Sequence, residues 1–178
     1  MASTNKAVIV TGAASGIGLA MTMGLVDAGH DVTAVDRNAA ALAELEKQAA
    51  GLKGSVQTVT ADLAQPDSFA HVTGSALIKY GRIDALVNNA GIGQASVRRD
   101  RRPIRFWETT AEQWGRFVAV NAAGPINMAR AVLPHMLASI SLTANSGCHC
   151  NIHASQKVPF APVVRLRCPQ GMPSKLRR

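Results

Sequence analysis

KAVIVTGAASGIG, residues Lys6 to Gly18, decides how the rest of the chain is read. Lys6 to Thr11 is a short, apolar, β-branched run, which predicts a buried strand. Gly12 to Gly18 is a glycine-rich turn, and Ile17 to Ala28 then carries apolar and helix-forming residues closed by Gly29. Strand, glycine turn and helix in that order form the opening of a βαβ unit.

The same alternation continues outward from this stretch. Asp31 to Asp36 and Ser55 to Thr60 read as strands, and Ala39 to Ala50 as the helix between them. Pro66 to Lys79 reads as a helix with proline in its first turn. Ile83 to Val87 is a fourth strand. Thr110 to Leu137 is one long helical pattern with Thr109 or Thr110 as its cap, and Pro125 and Pro134 are expected to kink or divide it. Apolar strands alternating with helices predict an α/β fold, a doubly wound parallel sheet covered on both faces.

The glycines carry chemistry as well as geometry. Gly12 permits a tight turn, Gly16 lets the backbone approach a pyrophosphate, and Gly18 lets the helix pack closely on the sheet. A helix N-terminus supplies free N–H groups and the positive end of a dipole. Asp36 ends the second strand 18 residues after Gly18. A carboxylate there can accept hydrogen bonds from the adenosine ribose hydroxyls and would repel a 2′-phosphate. That favours NAD over NADP, while Arg37 beside it could instead meet the phosphate.

TGAASGIG (Thr11 to Gly18), VDR (Val35 to Arg37), ADL (Ala61 to Leu63), NNAG (Asn88 to Gly91) and VNAAGP (Val120 to Pro125) stand in an order and spacing that resembles the short-chain dehydrogenases/reductases. The resemblance covers residues 5 to about 138. It implies a Rossmann-type fold and hydride transfer between a nicotinamide and a secondary alcohol or ketone. By position, Gly12, Ser15, Gly16, Ile17 and Gly18 would hold the pyrophosphate and Asp36 the ribose. Asp62 and Leu63 would line the adenine pocket, with Asp62 accepting a hydrogen bond from the amino group. Asn89, Ala90 and Gly91 would pass the nicotinamide-side ribose, and Asn88 has the alternative of simply tying strands together. Asn121 matches the family's catalytic Asn, which is linked there with a helix distortion. Family members assemble as homo-oligomers through long helices of the kind at Thr110 to Leu137.

The family's acid–base group is a Tyr in Tyr-x-x-x-Lys, its pKa lowered by the Lys and the nicotinamide, because an unshifted phenol near pKa 10 is a poor acid at neutral pH. Here the one tyrosine, Tyr80, precedes the fourth strand, and no such motif follows Asn121. CNIHASQKVPFAPV resembles the family's catalytic Ser segment, making Ser155 the candidate Ser. GMPSK resembles the end of the Tyr-Lys segment, making Lys175 the candidate Lys, with Gln170 where the Tyr belongs. The sequence therefore reads as the family's dinucleotide-binding domain over residues 1–138. Residues 139–178 read as an irregular basic tail holding remnants of the catalytic segment, cut short and displaced by small coding-frame slips. Weak or absent turnover is expected, and a dinucleotide-binding protein without chemistry is the alternative.

The charge follows the same division. The 178 residues carry a formal +8. Residues 1–138 hold 13 Lys and Arg against all 11 acids; residues 139–178 hold six and no acid. Five arginines sit in RRDRRPIR, Arg98 to Arg105, which reads as a solvated loop in preference to a site for an anionic substrate. Aromatics are 4% of the chain, too few to interleave with bases, so no nucleic-acid partner is expected. Trp107, Trp114 and Phe117 are expected to pack a helix or a subunit contact. All three cysteines lie at or after residue 148, and Cys148-His149-Cys150 with His153 fits no standard ligand spacing, so no metal is expected. No run reaches the roughly 20 apolar residues of a membrane span, and no signal layout opens the chain, so a cytoplasmic protein is expected.

Overall fold

A computed structural model describes residues 5–93, 105–143, 151–155 and 163–167. Strand β1 (Ala7–Thr11) leads into α1 (Gly16–Asp27), β2 (Asp31–Asp36), α2 (Ala39–Ala49), β3 (Ser55–Thr60), α3 (Ser68–Tyr80) and β4 (Ala85–Val87). A 3-10 turn at Phe106–Glu108 precedes α4 (Ala111–Val118), and α5 (Gly124–Thr143), β5 (Asn151–Ser155) and β6 (Val163–Arg167) follow. The sheet order is β3-β2-β1-β4-β6-β5. The first four strands run parallel, as expected; β6 pairs antiparallel with β4, and β5 antiparallel with β6.

Residues pointing to opposite sides of the strands feed two separate cores. Val8, Val10, Val32 and Ala34 pack with Val26 of α1 and Leu42 and Leu45 of α2. Ile9, Val35, Val59 and Leu86 pack on the other face with Val72 of α3 and with Met128, Val132 and Met136 of α5. Those three α5 residues recur every fourth position and are 0–1% exposed. Each such side chain contributes roughly 1.5–3 kcal/mol of burial. α1 meets the sheet through a stripe of small residues instead, Gly18, Thr22 and Val26, which brings its backbone close to β1.

Local chemistry sets the element ends. α1 closes on Gly29 at φ 88°, whose N–H returns to Val26, and α3 closes on Gly81 at φ 70°. Asn38 caps α2 by accepting from the Ala41 amide, and Thr110 with Gln113 forms a reciprocal capping box on α4. α3 begins at Ser68, two residues later than its proline suggests. The Asp62 carbonyl draws in both the Gln65 amide and the Ser68 hydroxyl, and that loop consumes the first turn.

The long helical pattern is divided around Asn121, where the family resemblance implies a helix distortion, and not at its prolines. Ala119–Ala123 forms a π-helical turn between α4 and α5. Pro125, just after it, has no N–H to return to the carbonyl of Asn121, so the ladder is already weakened there. Pro134 lies inside α5 without ending it. α5 runs to Thr143, six residues beyond the sequence-predicted end. A strand was expected near residues 150–154 and appears as β5; β6 has no counterpart in the sequence reading.

Candidate functional site

A cavity of about 420 Å³ opens where the carboxyl ends of the parallel strands meet the glycine turn. Gly12, Ser15, Gly16 and Ile17 form one wall and Asp36 and Arg37 another. Asp62 and Leu63 close the third side, and Asn89, Ala90 and Gly91 the fourth. Open parallel sheets bind ligands in this crevice, where strands on either side of β1 and β4 diverge.

The turn is close-packed. A Cβ on Gly12, at φ 65°, would come within 2.8 Å of the Ala90 Cα. One on Gly18 would collide with the Gly12 carbonyl oxygen. Gly16, at φ 51°, faces open space, with nothing within 4 Å of where its Cβ would stand. Ser15 precedes α1 in extended conformation and makes no side-chain capping bond, so its hydroxyl and the first helical N–H groups remain available to an anion.

The carboxylates are oriented by backbone amides. Asp36 accepts from Ala14 N at 3.2 Å through one oxygen and from Asn38 N at 3.0 Å through the other. A carboxylate has about four acceptor sites, so capacity remains on both oxygens. Asp62 accepts from Ala64 N at 3.0 Å through Oδ1, and its Oδ2 lies 3.8 Å from the Arg116 guanidinium.

The carboxamides at the opposite end serve the scaffold. Asn89 donates from Nδ2 to the carbonyls of Thr11 and Gly12 at 3.0 and 3.2 Å. Its backbone N–H, like that of Ala90, donates to the Thr11 hydroxyl, which in turn reaches the Val87 carbonyl at 3.3 Å. Asn88 is 3% exposed and donates to the Pro125 carbonyl, tying β4 to the start of α5. Asn121, in the π-helical turn, grips Ile92 twice: it accepts from Ile92 N and donates to Ile92 O, both at 2.8 Å.

Ser155 ends β5, where the register sets it opposite Val163, which in turn pairs with Val87. Its backbone is therefore level with the end of β4 but two strands, roughly 10 Å, away. Lys175 and Gln170 lie outside the described residues, as do the cysteines and all of RRDRRPIR except Arg105. Tyr80 stands at the opposite, amino-terminal edge of the sheet. Its hydroxyl donates to the Val32 carbonyl at 3.3 Å and lies 3.4 Å from Ser55 Oγ, which donates to Asp31 at 2.6 Å. Burial pushes the Tyr80 pKa up, the Ser55 contact opposes this, and the Asp31 charge adds to the rise. Sequence reasoning did not assign Thr11 as a junction, Val35, Ala61, Ile92 and Val120 to the cavity wall, or a role to Arg116. Ile92 and Val120 carried no signal, since an apolar residue announces no partner; Arg116 could only be found by knowing where α4 crosses. Among the described residues no cluster of His, Cys, Asp and Glu could hold a metal, and no helix is long and apolar enough to cross a membrane.

The fold is that of Rossmann-type proteins. An L-sorbose reductase from Gluconobacter frateurii, complexed with NADPH and L-sorbose, superposes with TM-score 0.67 at 29% identity over 76% of this chain and 49% of its own. A 3-ketoacyl-(acyl-carrier-protein) reductase from Brucella melitensis, complexed with NADH, gives 0.67 at 30% identity over 80% of this chain and 53% of its own. The short chain dehydrogenase model matches residues 6–149, and the chain belongs to that family. A 3-oxoacyl-(acyl-carrier-protein) reductase from Thermotoga maritima is 39% identical over 132 residues, 74% of this chain and 50% of the relative. The chain spans about half the length of the curated relatives it matches.

Proposed function

We propose that this chain holds a nicotinamide dinucleotide, NAD in preference to NADP, as the cofactor-binding half of an alcohol/carbonyl oxidoreductase, and that it turns over weakly or not at all. One observation carries the reading: a single cavity has a glycine turn, open at Gly16, and a helix N-terminus on one wall and an amide-oriented carboxylate, Asp36, on the next. A diphosphate suits the first, because its oxygens need N–H donors at close range, and a ribose diol suits the second. A 2′-phosphate would meet the Asp36 charge. Arg37 in the same wall is the observation that favours NADP as the second reading, and both NADPH- and NADH-bound relatives exist.

When bound, the nicotinamide supplies the carbon that accepts or donates hydride, for a secondary alcohol or ketone. The residues here bind and orient. Gly12, Ser15, Gly16, Ile17 and Gly18 shape the phosphate cradle, and Asp36 takes the ribose hydroxyls. Asp62 and Leu63 take the adenine; Asn89, Ala90 and Gly91 border the far ribose. Asn121 stiffens that border through Ile92. Ser155 and Lys175 are the remaining candidates for substrate positioning and proton transfer. Low turnover rests on the sequence, which offers no tyrosine beyond Tyr80, and on the place of Tyr80 at the far edge of the sheet. The exposed aromatics Phe106, Trp107 and Trp114, with Phe117 stacked on Trp114, support assembly of the parent protein as a homo-oligomer through this region.

Calorimetric titration tests the reading. NAD should bind about tenfold more tightly than NADP, a difference near 1.4 kcal/mol. Heat from neither dinucleotide would overturn it, and equal or tighter NADP binding would overturn the cofactor preference. Reduction of NAD by secondary alcohols should stay at the background rate; clear turnover would overturn the inactive assignment, whereas binding without turnover fits both this reading and a dinucleotide-binding protein with no chemistry.

A further inference from the structure

We propose that Arg116 is a positioning residue that sets selectivity for the adenine amino group by orienting Asp62. The proposal rests on the reading of the cavity as a dinucleotide site. The Asp62 backbone is pinned, since its carbonyl accepts from Gln65 N at 2.9 Å and Ser68 Oγ at 2.7 Å. Oδ1 is pinned too, by Ala64 N. Oδ2 faces the Arg116 guanidinium at 3.8 Å, beyond the roughly 2.7–2.9 Å of a charge-assisted hydrogen bond. It feels the cation yet keeps its lone pairs for another donor.

Arg116 and Asp62 are 47% and 34% exposed, so the pair adds little to stability. Its effect is directional. A carboxylate has a broad torsion about its last bond, and a cation on one side narrows it. Arg116 is absent from the cavity wall, whereas Asp62 is part of it, so Arg116 acts through Asp62. The helical segment reinforces this placement: Val120, four residues on, lines the cavity, and Asn121 holds Ile92. One continuous stretch thus touches both ends of the site.

An amino group opposite Oδ2 offers an N–H; a carbonyl there sets oxygen against the carboxylate. Titration with NAD and with nicotinamide hypoxanthine dinucleotide, in which a carbonyl replaces that amino group, measures the discrimination. The unaltered chain should prefer NAD by roughly tenfold, the worth of one hydrogen bond to a charged group. Arg116→Ala should reduce the preference to about two- to threefold, and Arg116→Lys should restore part of it. Arg116→Gln carries the same comparison where thermal melts show that the alanine variant does not fold. An unchanged preference in the neutral variants, with both affinities falling by the same factor, would overturn the proposal and leave Arg116 a fastener of α4. No preference in the unaltered chain would overturn it as well, whereas binding of neither dinucleotide would remove the functional reading beneath it.

Discussion

At one end of the cavity stand two carboxylates, Asp36 and Asp62; at the other stand two carboxamides, Asn89 and Asn121. The carboxylates are oriented by neighbouring amides and keep acceptor capacity for a ligand. The carboxamides commit their N–H groups to the backbone of Thr11, Gly12 and Ile92. On the proposed reading, one end receives hydroxyls and an amino group. The other is made to hold the chain still, and among the described residues it carries no acid or base poised for proton transfer. If the proposed function holds, the difference separates holding a dinucleotide from using one, and it can be attacked at either end.

The largest effect is expected at the turn both ends share. Gly18→Ala forces a methyl against the Gly12 carbonyl, so it should cost about 3 kcal/mol in denaturant unfolding and abolish NAD binding. Gly16→Ala is the contrast: its cost should be about 1 kcal/mol, from the left-handed backbone alone, because its Cβ has room. Equal losses at the two positions would mean the turn is not packed as described. Next comes Asp36→Ala, which should weaken NAD binding about 30-fold by calorimetry and narrow the gap to NADP. At the scaffold end, Asn121→Ala leaves both Ile92 backbone groups without their side-chain partner and should lower unfolding stability by about 2 kcal/mol. A loss there confined to binding, with stability untouched, would reverse the assignment of roles.

The smallest effect lies outside the cavity. Tyr80→Phe should cost about 1 kcal/mol near neutral pH through the lost bond to Val32. Because burial raises the Tyr80 pKa, the unfolded chain gives up this proton first as pH rises through about 10. The stability held by the neutral phenol is thus whole below that pH and is lost as pH climbs through the folded value. Urea midpoints followed upward from about pH 8 should show this alkaline fall in the unaltered chain and a shallower one in the variant.

The strand–turn–helix opening, the four parallel strands and most of the cavity wall were legible in the sequence. β-branched runs, glycines and helix-closing residues act locally, so their spacing alone carries the message. Asp36 was legible for the same reason: it ends a strand that β1 locates. The division of the long helix was legible at Asn121 through the family resemblance, whereas the prolines alone signal a weakened ladder without fixing where the extra residue enters. The position of β6 against β4 depends on a long-range pairing with no local mark, and the VVRLR run at Val163–Arg167 that forms it was not read as a strand. Arg116 was invisible on similar grounds, since its partner is 54 positions away.

Thr11 fastens the floor of the cavity. Its hydroxyl reaches the last carbonyl of β4 and receives the amides of Asn89 and Ala90 in the loop that follows. A single oxygen thereby clasps the ends of two neighbouring strands and the loop beyond them. The hydroxyl thus joins β1, β4 and the loop after β4 into one plate. A valine at residue 11 would keep the shape of the side chain and unfasten the plate.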